Sequence, residues 1–87
     1  MSYDIQNADI AAMGATGNPD TLFELGVMYS TGRAGPMDLI TAHKWFNLAA
    51  LKGSDAAKDQ RREISAQMSK EEIASALIAA REWITLH

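Results

Sequence analysis

The chain of 87 residues contains no cysteine and only two prolines. Without cysteine it has no disulfide framework, no thiolate nucleophile and no cysteine-ligated zinc site. Both prolines and all six glycines lie between residues 14 and 53, and residues 54–87 contain neither. Because proline and glycine interrupt or weaken helices, their absence predicts two well-formed helices in this last part of the chain.

Long apolar runs are also missing. No run approaches the ~20 residues that a membrane-spanning helix needs, so we expect no membrane span. Residues 1–9 carry two acids and no basic, apolar segment, so we expect no signal peptide and a cytoplasmic location. The length allows a single domain over residues 1–87. Its core is expected to be thin, because so short a chain buries only about 60–65% of its unfolded surface.

Charge of one sign is not concentrated anywhere in the sequence. The formal net charge is −3, with acids and bases interspersed. The densest basic cluster, Lys58, Arg61 and Arg62, is interrupted by Asp59 and Glu63. Such alternation is typical of a solvated helix face rather than of a phosphate-binding stripe. We therefore expect no nucleic-acid partner.

What the sequence does contain is helical periodicity, with no strand pattern. It predicts an all-α chain of about five helices, over residues 4–13, 19–29, 39–52, 55–67 and 70–85. Four of the predicted helices follow a favoured N-cap residue: Asn18, Asp38, Ser54 and Ser69. Pro19 suits a first helical position, and Glu72 completes a capping box with Ser69.

The apolar positions predict which helix faces are buried. The helix over 39–52 has a wide apolar face and is expected to be the most buried. The helix over 55–67 has a narrow stripe and is expected to pack on one side only, through Ala57, Ile64 and Met68. In the last helix the expected buried stripe is Ile73, Leu77, Ala80 and Ile84. Trp83 is expected in the core, whereas Leu86 is either core or part of an exposed patch.

Residues 25–53 carry small, aromatic and capping residues at fixed offsets. These are Leu25, Gly26, Met28, Tyr29, Gly32, Asp38, Ala42, Trp45, Ala49, Ala50 and Gly53. The pattern resembles a Sel1-like repeat, a relative of the tetratricopeptide helix pairs. The resemblance implies an antiparallel helix pair over residues 18–53, as a fragment of a right-handed α-α superhelix. Residues 1–17 would then form an N-terminal capping helix, and residues 54–87 a C-terminal helical pair.

The resemblance also implies physical roles for single positions. Gly26 and Ala42 would be small where the two helices cross. Tyr29 and Trp45 would fill the space between the helices, with a polar tip left to hydrogen-bond. Gly32 would adopt a positive φ in the loop, which glycine does without a Cβ penalty.

The resemblance has two limits. Ala34 stands where the family has its second loop glycine, and Gly35 stands in place of the next valine, so the loop conformation is left open. Only one full repeat is present, whereas about three stacked repeats are usually needed for stability. The flanking helices must therefore cover the repeat, or the chain must self-associate or rest on a partner. The ending Arg81-Glu82-Trp83 resembles the closing segment of some bacterial members.

No arrangement of catalytic or metal-binding residues is visible. His43 and His87 are the only histidines, and no spacing joins either to a second ligand. Glu71 and Glu72 are explained as first-turn residues that the helix dipole favours, which leaves no pair of acids for general acid–base chemistry. We therefore expect no enzyme activity, no cofactor and no bound metal.

The function that remains is recognition of another protein or peptide. Repeat proteins of this class use the concave surface lined by the first helix of each pair, which implies the candidate contact residues Thr21, Glu24, Val27 and Met28. Lys58, Arg61 and Arg62 either present a basic edge to an acidic peptide or form an ordinary solvated face. The main hypothesis is a bacterial protein-interaction module, acting as adaptor, scaffold or regulatory docking domain. The alternative is a structural unit that forms a homodimer through its exposed repeat face.

Overall fold

The computed structural model describes residues 17–33 and 35–86. Within these residues the chain forms four α-helices and no strand: α1 (Pro19–Thr31), α2 (Leu39–Leu51), α3 (Asp55–Ser65) and α4 (Lys70–Leu86). The prediction of an all-α chain is confirmed for this part of the sequence. The predicted helix over residues 4–13 lies outside the described residues, and the right-handed superhelix remains a prediction.

Each helix begins at the cap residue that the sequence predicts. The side-chain oxygens of Asn18, Asp38 and Ser54 accept hydrogen bonds from backbone N–H groups in the first turn, at 2.8, 3.1 and 3.1 Å. Ser69 and Glu72 form the full capping box. The Ser69 hydroxyl accepts from the Glu72 N–H at 3.0 Å, and the Glu72 carboxylate accepts from the Ser69 N–H at 2.8 Å. These bonds satisfy N–H groups that have no partner inside the helix.

Two glycines end α1 and α2 in the same way. Gly32 and Gly53 have positive φ angles of 81° and 109°. The amide after Gly32 donates to the Met28 carbonyl at 2.9 Å, and the amide after Gly53 donates to the Ala49 carbonyl at 3.0 Å. This is the Schellman hydrogen-bond pattern, in which a left-handed residue turns the chain sharply away from the helix. The expected positive φ at Gly32 is confirmed.

α2 is the central helix, and the other three helices pack mainly against it. Its buried residues spread around more than half of the helix circumference: Ala42, His43, Trp45, Phe46, Leu48, Ala49 and Ala50. The prediction that this helix is the most buried is therefore confirmed for the described residues. Because every other helix rests on α2, its side chains set the spacing of the whole bundle.

α1 and α2 make their closest approach at Gly26. A Cβ atom built at this position would lie 2.5 Å from the ring of Phe46, well inside van der Waals contact. The Gly26 backbone therefore packs directly on the Phe46 ring, which is completely buried. Phe23 adds a second ring at a centroid distance of 5.5 Å from Phe46. The expected close approach at Gly26 is confirmed, and Ala42 of α2 is also completely buried.

α3 packs on α2 through one narrow face. Ala57 and Ile64 are buried and Met68, just beyond the helix, is half-buried against the core. The remaining positions of α3 are mostly exposed and charged. The predicted one-sided packing of this helix is confirmed.

The predicted buried stripe of α4 is wrong at two positions. Leu77 and Ile84 are 43% and 55% exposed, whereas Ala76 and Ala80 are buried and Trp83 is half-buried against the core. The two alanines allow α4 to approach α2 closely, because they add almost no side chain between the backbones. The inward face therefore follows the alanines and Trp83, and the two larger aliphatic side chains turn outward.

An aromatic pair joins α4 to α2. The rings of Trp45 and Trp83 meet edge to face with centroids 5.0 Å apart. The Lys44 ammonium lies 4.3 Å from the Trp45 ring centroid and 5.2 Å from that of Trp83, within cation–π range of both. The Trp45 indole N–H is buried and has no hydrogen-bond partner among the described residues, so the expected polar contact of its tip is not formed there.

We expect Gly26→Ala to destabilise the fold by about 1–3 kcal/mol, the usual cost of adding a methyl group to a filled core. This cost exceeds the ~1 kcal/mol that alanine contributes over glycine inside a helix. The free energy of unfolding, measured in urea by circular dichroism, tests the expectation.

Phe46→Leu provides the matched background, because it removes the ring that the new methyl group would meet. In a double-mutant cycle, Gly26→Ala should cost at least about 1 kcal/mol less in this background. An equal cost in both backgrounds would show that the ring and the glycine do not determine the distance between α1 and α2.

Candidate interaction surface

The contact surface predicted on α1 is only partly exposed. Glu24 is exposed and forms an ion pair with Arg33, while Thr21 is half-buried. Val27 is half-buried against the core. Met28 is 5% exposed and belongs to the core, so its predicted outward position is wrong. It lies three residues after Leu25, on the side of α1 that faces α2.

The predicted basic edge on α3 is divided in the structure. Lys58 and Arg62 are exposed, and each lies 3.6 Å from the carboxylate of the acidic residue three positions earlier. Pairs this exposed contribute little to stability and form an ordinary solvated face. Arg61 instead turns towards α2, where its guanidinium donates a hydrogen bond to the Asn47 side-chain oxygen. The three residues therefore do not share one surface.

Large exposed apolar residues lie instead on α4, on more than one side of the helix. Leu77, Ile78, Ile84 and Leu86 are 43%, 52%, 55% and 77% exposed. Leu77 and Ile84 are separated by two helical turns, with Arg81 between them on the same side. This settles the open question on Leu86, which is exposed rather than part of the core.

Of these four residues, Leu77 and Ile84 form one wall of an open depression of about 290 Å³, called here the α4 groove. It is lined by Asn47 from α2 and, from α4, by Leu77, Ala80, Arg81, Ile84 and Thr85. Arg81 is the one charged residue of this lining. The Arg61 guanidinium of α3 donates a hydrogen bond to Asn47, although Arg61 is not itself a lining residue.

A larger cleft of about 590 Å³ lies at the other end of the bundle. It is lined by Tyr29, Gly35, Pro36, Met37, Asp38, Leu39, Ile40, Gln67 and Glu72. Burial, and then the nearby Asp38 carboxylate, raise the pKa of Tyr29 above its usual value. The two acids of this cleft already cap α2 and α4, which explains their presence without a ligand. Of these two depressions, the α4 groove is therefore the better candidate for binding.

His43 is buried between α2 and α3. Its Nε2 atom forms a hydrogen bond of 2.9 Å with the Ser65 hydroxyl, and its Nδ1 atom has no partner among the described residues. Burial, and then the positive charge of Arg61, lower the pKa of His43 below 6.5. Neither of the two depressions described above reaches this histidine. Its contacts are those of a residue that packs α3 onto α2.

Two further features of the described residues bear on function. They contain no group of three or more His, Asp or Glu side chains placed to hold a metal ion. Within the same part of the chain, no helix combines the length and apolar character needed to cross a membrane.

We expect the fold to lose stability as the pH falls below about 6.5, the usual pKa of histidine in an unfolded chain. A folded-state pKa below that of the unfolded chain means that the unfolded chain takes up the proton first, so acid favours unfolding. One proton gives a slope of at most about 1.4 kcal/mol per pH unit. Urea unfolding at a series of pH values measures this slope.

The matched variant is His43→Gln, which keeps a hydrogen-bonding group near Ser65 and does not titrate. It should flatten the dependence of unfolding free energy on pH just below 6.5. The same slope in both proteins would assign the effect to other groups, such as the carboxylates.

Comparisons with protein-family models, with curated proteins and with solved structures find no match to this chain. The Sel1-like repeat therefore remains a resemblance in residue pattern.

Proposed function

We propose that this chain is a protein-interaction module that binds its partner along the α4 groove. The observation that carries this proposal is the exposed row of aliphatic side chains on α4, above all Leu77 and Ile84. Exposed aliphatic side chains lower the solubility of a protein. A row of them along a helix is a common binding surface for a second helix. The proposed site therefore lies on α4, and not on α1, where the repeat resemblance places it.

The free energy gained by burying this row of side chains limits how a partner can be held. Fully burying a leucine or isoleucine side chain contributes about 1.5–3 kcal/mol, so the exposed parts of Leu77 and Ile84 together offer about 2 kcal/mol. Association itself costs about 4–15 kcal/mol. Apolar contact alone therefore does not hold a partner, and polar contacts beside the row must contribute.

The groove is also supported by ordered parts of the bundle. Its floor residue Asn47 lies on the central helix, and its α4 wall is held by buried Ala80 and by the packing of Trp83 on Trp45. A site built on packed helices keeps its geometry and needs little ordering when a partner binds. This supports a docking role such as that of an adaptor or scaffold. Absence of enzyme activity and a cytoplasmic location remain predictions.

The second candidate is self-association into a homodimer, and the same exposed row favours it. An apolar face on one copy is available on every copy, and a two-fold axis would bury both at once. In this case the interface would be α4 rather than the repeat face on α1, since Val27 and Met28 are already packed in the core.

Site-specific photo-crosslinking in the native cells tests the proposal. A photoreactive amino acid replaces Leu77 in one variant and Ser75, exposed on a different side of α4, in the control. We expect position 77 to crosslink to a different protein, and the added change Ile84→Ser to abolish the product. Crosslinking only to its own chain would favour the homodimer. Equal products from positions 75 and 77 would contradict both candidates.

A further inference from the structure

The charges around the α4 groove differ from those of the chain as a whole. The chain has a net charge of −3, and several basic side chains already have acidic or aromatic neighbours. Arg81 forms no salt bridge within the described residues, and it lies inside the apolar row of α4. The lining of the groove contains no acidic residue. Within an acidic chain, the lining of this groove therefore carries one positive charge and no negative one.

Arg61 adds a second positive charge from the opposite helix. A guanidinium group carries five N–H donors, and the bond to Asn47 uses one of them. Arg61 thus places a positive charge beside Asn47, and Arg81 lines the same groove from α4. A guanidinium group in the groove and a second one bonded to its Asn47 match a ligand that has carboxylates beside an aliphatic stripe.

The charged and apolar side chains of the groove favour some kinds of ligand over others. A two-fold pairing of α4 rows would bring the Arg81 side chains of both copies close together, and like charges at a buried contact are unfavourable. A nucleic acid would meet exposed aliphatic side chains rather than a continuous basic stripe. An amphipathic helix with acidic residues satisfies both the apolar row and the guanidinium groups.

We infer that the α4 groove binds an acidic amphipathic helix of another protein. Its aliphatic stripe packs on Leu77 and Ile84, and its carboxylates accept hydrogen bonds from Arg81 and Arg61. This inference rests on the proposed function and adds to it the chemistry of the partner.

Binding of two synthetic helical probes to the full chain tests the inference. The acidic probe has about 18 residues of leucine, alanine and glutamate, with leucines three and four apart along one face. The basic probe replaces every glutamate with lysine and keeps the leucine stripe. Fluorescence anisotropy of the labelled probes gives Kd, and NMR shifts of Asn47, Leu77 and Arg81 locate the bound probe.

We expect the acidic probe to bind at least about tenfold more tightly than the basic one, the effect of one charge-assisted hydrogen bond. Arg81→Glu should weaken the acidic probe by a similar factor and improve binding of the basic probe. Arg62→Glu is the matched control, because it makes the same charge change on the solvated face of α3. It should change Kd by no more than about twofold.

Three results would overturn the inference: equal affinity for both probes, no binding of either probe, or equal loss in the Arg62→Glu and Arg81→Glu variants. Failure of this inference can be distinguished from failure of the proposed function. If position 77 crosslinks a partner while the acidic probe does not bind, the interaction role stands and the acidic partner is rejected. If position 77 crosslinks nothing, the proposed function is rejected.

Discussion

The contact between the Gly26 backbone and the Phe46 ring is the constraint on which the rest of the structure depends. With the built Cβ only 2.5 Å from the ring, no other residue fits at position 26 without movement of α1 or of the ring. This contact fixes α1 against α2 and places one complete side of α2 in the core. The remaining buried sides of α2 are then available to α3 and α4.

The candidate groove is a consequence of how α3 and α4 share the central helix. Ala76 and Ala80 bring α4 close to α2, and Trp83 closes over Trp45. The aliphatic side chains that find no room in this narrow contact, such as Leu77, face outward beside Asn47. The same packing that completes a small core therefore leaves an apolar wall exposed, and Arg61 and Arg81 add charge to it.

Local features of the fold were predictable from the sequence, and tertiary ones were not. The caps at Asn18 and Ser69 and the positive φ at Gly32 depend on residues within one turn, so the sequence pattern identified them. The buried face of α4 depends on how closely a second helix approaches. Helical periodicity favours a stripe of large residues over the alanines, although α4 carries more apolar residues than one face buries. This surplus of apolar residues is the signal in the sequence that some of them, such as Leu77 and Ile84, are exposed. The turn of Arg61 towards Asn47 had no local signal.

Native-state hydrogen exchange tests the central position of α2 most directly, because it reports the free energy of opening at each backbone amide. If the other helices depend on α2, the amides of Phe46 and Ala49 should exchange only through global unfolding, with the free energy that urea unfolding gives. Amides in the last turn of α4 should exchange through smaller openings. Exchange of the α2 amides at a lower free energy than those of α1 would contradict this arrangement.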